Sequence, residues 1–152
     1  MKLIEFLQPG AVLGDLSGPT AQAVLGDLCR PIAAARKIDT QRLLEVLLDR
    51  EKLGSTGIGE GVAIPHGKVP GLPSLTASFG RSRQGVDFKA IDGKPTYLFF
   101  ALFAPENSAG LHLKALARIS RIFKSAAFRE AILTAEDAPA MYRLIEQEDS
   151  KY

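Results

Sequence analysis

Sulfur and imidazole are scarce in this chain of 152 residues, which has one cysteine, Cys29, and two histidines, His66 and His112. A lone cysteine excludes an internal disulfide framework and a cysteine-based zinc cluster. Two histidines exclude a multi-histidine metal site. Tryptophan is absent, and neither sign of charge dominates: 19 basic against 17 acidic residues leave a formal +2. That balance gives no electrostatic footing for nucleic acid or for an anionic membrane. Long apolar runs are also missing. The stretch from Leu3 to Leu7 is broken by Glu5 and stopped by Gln8-Pro9-Gly10, so no export signal is expected. The longest aliphatic and aromatic run, Tyr97 to Ala104, is eight residues. A bilayer needs roughly 20 as a helix, so no membrane insertion is expected. The run reads instead as a strand buried on both faces. The expected compartment is the cytoplasm.

What is present suits one folded domain over 1–152, with 46% apolar and 24% charged residues. Ala11 to Leu16 suggests a short first strand. A helix from Pro19 to about Arg36 follows, and Pro31 should kink or divide it. Asp39 is placed to cap a second helix, Thr40 to Lys52. After Gly54, glycine and proline separate four strand candidates: Val62–Ile64, Leu75–Phe79, Val86–Phe88 and Thr96–Phe103. The last third returns to helical periodicity over 112–124, Ala126–Leu133 and Ala138–Glu146, the last capped by Asp137. The expected fold is α/β, a single mixed β-sheet of about five strands flanked by helices. Glu146 to Asp149 reads as a frayed tail.

The chemistry concentrates in Arg50-Glu-Lys-Leu-Gly-Ser-Thr-Gly-Ile-Gly-Glu-Gly-Val-Ala-Ile-Pro-His-Gly-Lys68. Four of the 14 glycines fall between Gly54 and Gly61. Glycines let backbone N–H groups approach an anion, and Ser55 and Thr56 add hydroxyl donors. Two nucleotide motifs fail here. Gly61 to Lys68 has one residue too many for a P-loop, with Val69 where a magnesium-binding hydroxyl belongs. Val62 occupies the last glycine place of a dinucleotide fingerprint.

His66 lies in a Pro-His-Gly segment just past an apolar strand, read as a turn. It is either a surface turn histidine or a neutral imidazole poised to accept a phosphoryl group. His112 falls near the start of the 112–124 helix, on its Ala115-Leu116-Ile119 stripe. It is either a boundary histidine or a residue facing an anion. Arg50 ends the second helix and is either a solvated cation or a clamp for phosphoryl oxygens. Lys68 poses the same choice and reads as solvated. The basic face of Lys114, Arg118, Arg121 and Lys124, with Arg129 beyond, reads as wet surface. Without interleaved aromatics it offers no base stacking. Cys29 reads as an inert core residue. Glu60 is a lone carboxylate with no evident partner.

The same segment resembles the phosphorylation site of the mannitol/fructose-type enzyme IIA family of the bacterial phosphotransferase system. That pattern runs from an acidic or amide residue through six free positions to an apolar and a small residue. Two free positions then lead to apolar-Ala-apolar-Pro-His-small. Glu51, Ile58-Gly59 and Val62-Ala63-Ile64-Pro65-His66-Gly67 meet it throughout. Gly54-Ser-Thr-Gly-Ile-Gly59, Phe88-Lys-Ala-Ile-Asp92 with Pro95, and Leu98 to Pro105 resemble the nitrogen-regulatory branch.

The resemblance implies a phosphoryl carrier with no cofactor and no metal. His66 would take the phosphoryl group on Nε2, with Arg50 beside it and His112 assisting. Ser55 and Thr56 would lie where the loop approaches the phosphoryl group. The implied donor is a histidine phosphocarrier protein. The implied targets are regulatory partners such as potassium-transport or sensor proteins. A sugar-specific IIA passing phosphate to a permease, and an interaction module that transfers nothing, are the alternatives.

Overall fold

The computed structural model describes all residues, 1–152. A short 3-10 turn at Leu3–Glu5 leads into β1 (Leu7–Leu13). Two helices follow, α1 (Ala21–Arg36) and α2 (Thr40–Glu51). The strands β2 (Gly57–Gly59), β3 (Val62–Ala63), β4 (His66–Val69), β5 (Thr76–Val86) and β6 (Thr96–Pro105) complete the sheet. The chain closes with α3 (Ala109–Phe123), α4 (Ala126–Thr134) and α5 (Ala138–Asp149). The result is one mixed sheet of six strands, against about five expected, flanked by five helices.

The sheet runs β1-β5-β6-β3-β2, with β4 also paired to β6. β6 is central: Leu98 to Ala104 are all buried, as the apolar run demanded. β3 and β4 lie end to end along β6 in one register, Val62 opposite Leu98 and His66 opposite Leu102. Leu102 N–H donates to the Pro65 carbonyl between them at 2.8 Å. His66 is therefore not in a turn. It opens a strand on the free edge of the sheet.

Other expectations shift in instructive ways. β1 starts at Leu7 rather than Ala11, running through Gln8-Pro9-Gly10 by an irregularity between Leu7 and Val12. An edge strand tolerates the missing proline donor. Pro31 does not divide α1, which stays anchored by buried Leu28, Cys29 and Ile32 on either side. Asp39 occupies the N-cap position of α2 without a side-chain bond, whereas Asp137 caps α5 by accepting from Ala140 N–H at 2.9 Å.

The strand expected at Leu75–Phe79 runs on unbroken to Val86 as β5, and of the one expected at Val86–Phe88 only Val86 is strand. Gly80, read as a break, sits in the ladder opposite Phe99, and a Cβ there would strike Leu16 at 2.8 Å, which is why the position is glycine. Arg81 beside it is fully buried and donates to the carbonyls of Gly14, Ile132 and Ala135, tying β5 to the end of α4.

The supposed frayed tail is the last turn of α5, with Asp149 buried at 1% exposure. Its carboxylate accepts from Ile4 N–H at 3.2 Å and from Arg118 Nε at 2.8 Å. The basic face of α3 is thus largely occupied by the protein itself. Arg118 is paired with Asp149, Arg121 lies 4.6 Å over the Tyr152 ring, and Arg129 donates to the Phe123 and Lys124 carbonyls. Cys29 is buried, and burial pushes its thiol up to about 12, so it is inert.

Candidate functional site

The site begins with a missing side chain. α2 packs directly on β4, and a Cβ on Gly67 would lie 2.3 Å from Val46 Cγ1. Only glycine allows that approach. Arg50 follows Val46 by one helical turn on the same face of α2, so the packing that holds Val46 against Gly67 carries Arg50 to His66. Gly67→Ala is expected to lever α2 off β4, costing about 1–3 kcal/mol as overpacking does. Thermal unfolding checks the stability loss. Histidine NMR checks the second consequence, that the His66 ring loses the influence of Arg50.

His66 is half-buried, and its Nδ1 lies 2.6 Å from the Ile64 carbonyl oxygen. A carbonyl only accepts, so Nδ1 carries the proton and donates. The lone pair is left on Nε2. Burial holds the ring below the ordinary histidine value of 6.5, and the nearby Arg50 charge pushes the same way. The Ile64 bond and Glu51 oppose the shift without reversing it. His66 is a neutral, Nδ1-protonated imidazole near pH 7.

The His112 ring meets it edge-on, with centroids 5.3 Å apart and planes at 77°. α3 begins at Ala109, three residues earlier than the periodicity suggested, so His112 sits a full turn inside it. Its backbone N–H is already spent on the Ser108 carbonyl at 2.8 Å, leaving the ring as its only free donor. His112 is 8% exposed, and its Nε2 is buried without a partner. Burial lowers its proton affinity, with further contributions from His66 and Lys68. An unpartnered buried ring nitrogen is costly unless something is meant to meet it.

His66, His112, Arg50 and Lys68 line one open cleft of about 460 Å³. Arg50 commits one donor to the Gly54 carbonyl at 2.9 Å, and its other N–H groups are free. Leu53, which also lines the cleft, is 83% exposed. The arrangement pairs a nucleophilic nitrogen with cationic and N–H donors.

Ser55 and Thr56 do not line this cleft. The Ser55 hydroxyl donates to the Phe88 carbonyl at 2.7 Å and accepts from Gly57 N–H. The Thr56 hydroxyl donates to the Glu51 carboxylate. Glu60, at the tip of the β2–β3 hairpin, has found a partner in Arg129 at 3.5 Å. No group of three or more His, Cys, Asp or Glu side chains gathers to hold a metal. Two groups at the cleft were given no part in it by the sequence reading. Lys68 was visible but indistinguishable from a surface cation. The Ile64 carbonyl is a backbone group, which no residue pattern announces.

The fold is that of phosphotransferase-system IIA proteins. The crystal structure of nitrogen regulatory protein IIA-Ntr from Neisseria meningitidis matches with a TM-score of 0.87 at 34% identity, covering 93% of this chain and 97% of that one. The family model described as "Phosphoenolpyruvate-dependent sugar phosphotransferase system, EIIA 2" matches residues 5–148, and the chain belongs to that family.

A "Nitrogen regulatory protein" from Bradyrhizobium diazoefficiens is 38% identical over 145 residues, 95% of each chain. The "PTS system fructose-specific EIIABC component" of Bacillus subtilis is 35% identical over 98% of this chain but only 24% of its own length. The resemblance read from the motif is borne out. No helix is long and apolar enough to cross a membrane.

Proposed function

We propose that this protein is a phosphohistidine carrier of the nitrogen-related phosphotransferase system. It takes a phosphoryl group on His66 from a histidine phosphocarrier protein and regulates partners by its phosphorylation state. One observation carries the reading: the Ile64 bond at Nδ1 leaves the lone pair of His66 on Nε2, in a cleft shared with Arg50 and His112.

Nε2 attacks the phosphorus of the donor's phosphohistidine. The donor's N–P bond breaks, and its electron pair returns to the donor ring. As the new N–P bond forms, the His66 ring keeps its Nδ1 proton and gains positive character, which the Ile64 carbonyl stabilises. The loose transition state spreads charge over its equatorial oxygens, so the work is positioning and charge stabilisation. Arg50 and a ring N–H of His112 supply donors, with Lys68 at the rim. The exposed Leu53 side chain at the cleft helps exclude water when the carrier docks. The modified ring then presents up to about two negative charges. A partner that docks on this face reads that charge. Potassium-transport and sensor proteins are the kinds of target the family suggests.

The pH dependence follows from the lowered proton affinity of His66. Only the neutral ring attacks. Its acid limb therefore lies below the ordinary value of 6.5, and phosphoryl uptake should persist to more acidic pH than for an exposed histidine. Rapid-quench uptake measured from pH 8 downward checks this, provided the carrier's own titration is recorded separately.

Intact-protein mass spectrometry after incubation with nitrogen-type and sugar-type phosphorylated carriers tests the proposal. One phosphoryl group added from the nitrogen-type carrier supports it, and no addition from either overturns it. The fructose-specific relative favours a second reading, a sugar-specific IIA. Onward transfer to a sugar through a permease domain would establish that one instead.

A further inference from the structure

A chain of hydrogen bonds runs from the end of α2 to the His66 ring. The Glu51 carboxylate accepts from Thr56 N–H at 3.2 and 3.1 Å through its two oxygens, and from the Thr56 hydroxyl. The Thr56 carbonyl accepts from Ile64 N–H at 3.0 Å. The Ile64 carbonyl accepts from His66 Nδ1 at 2.6 Å. Thr56 and Ile64 are buried at 5% and 4% exposure, so neither peptide has water as a ready substitute partner.

Glu51 is a poor choice for α2 itself. It is the helix's last residue, where a carboxylate faces the negative end of the dipole. The position makes sense only through what the carboxylate holds, and what it holds is the loop residue bonded to Ile64. Ile64 precedes a proline, which restricts it to an extended backbone and leaves its peptide little freedom to turn on its own. The direction of the Ile64 carbonyl is thus set by its neighbours, and Thr56 is the neighbour that grips its N–H.

We infer that Glu51 is a positioning residue for His66: through Thr56 and Ile64 it fixes the orientation of the ring and keeps the proton on Nδ1. This rests on the reading of His66 as phosphoryl acceptor. Loss of the carboxylate frees the 54–56 loop, loosens the Ile64 peptide and lets the ring populate the other tautomer. In that tautomer Nε2 carries the proton and is no longer a nucleophile. Partners that orient a metal-ligating histidine are typically worth about 10- to 100-fold when removed, and an effect of that order is expected for the same geometry here.

Long-range proton–nitrogen NMR of uniformly labelled protein reads the tautomer without any carrier. The wild type should show His66 protonated on Nδ1. In Glu51→Ala the Nε2-protonated form should appear, and uptake from a phosphorylated carrier should slow by about tenfold at saturating carrier. Thr56→Ser, which keeps the hydroxyl and the N–H, should retain the wild-type tautomer and rate. If Glu51→Ala does not fold, Thr56→Val is read for the same tautomer shift. A folded Glu51→Ala, or failing that Thr56→Val, with wild-type tautomer and rate would overturn the inference. The tautomer shift appearing in a protein that no carrier phosphorylates would leave the positioning role standing and remove the phosphoryl reading instead.

Discussion

Replacing His66 with glutamine is expected to abolish phosphoryl uptake, leaving no added phosphoryl group after prolonged incubation with phosphorylated carrier. The argument is one of chemistry. A glutamine amide fills much of the same volume, but its nitrogen lone pair is delocalised and does not attack phosphorus. His112 is not expected to substitute, because it is only 8% exposed and its ring meets His66 edge-on from the side of α3. His66 is half-buried on the free edge strand β4, so the change should leave the fold intact, which thermal unfolding verifies. Modification persisting on the His66→Gln protein would place the acceptor elsewhere.

Arg50→Ala carries the next largest effect, a fall of about 10²- to 10³-fold in the single-turnover rate, the usual cost of removing a charge-stabilising donor. In the resting protein Arg50 makes one hydrogen bond, to the Gly54 carbonyl. Its remaining donors are free, and the proposal gives them to the arriving phosphoryl group. The loss should therefore appear in the chemical step more than in carrier binding. Arg50→Lys should recover part of the rate, because it restores charge but not the planar fork. Stopped-time quench at saturating carrier separates the two. Wild-type turnover in Arg50→Ala would show that the guanidinium stabilises nothing in transfer.

The sequence carried the fold class because the strongest signals were local and periodic. The apolar run of β6, the cap at Asp137, and the amphipathic stripe of α3 each fix an element without reference to the rest. Two of the failures involve distant partners. Gly80 looked like a break because Leu16, which fills its missing side chain, is far away in sequence. Glu146 to Asp149 looked like a tail because the partners of Asp149, Ile4 and Arg118, lie far back along the chain.

The site shows the same divide. Residue types and their spacing pointed to His66, Arg50 and His112, and the cleft brings the three together. The tautomer of His66 hangs on a backbone carbonyl two residues away, which no side-chain pattern encodes. Ser55 and Thr56 looked like donors to an anion, yet both hydroxyls already donate elsewhere, to the Phe88 carbonyl and the Glu51 carboxylate. Polar residues beside glycines can serve a ligand or the loop itself, and only coordinates distinguish the two.

The most direct test of the central claim is phosphorus–nitrogen correlated NMR on protein phosphorylated by its carrier. The account predicts a single phosphohistidine, with phosphorus bonded to Nε2 of His66 and the proton retained on Nδ1. Phosphorus found on Nδ1, on His112 or on any other residue would contradict it.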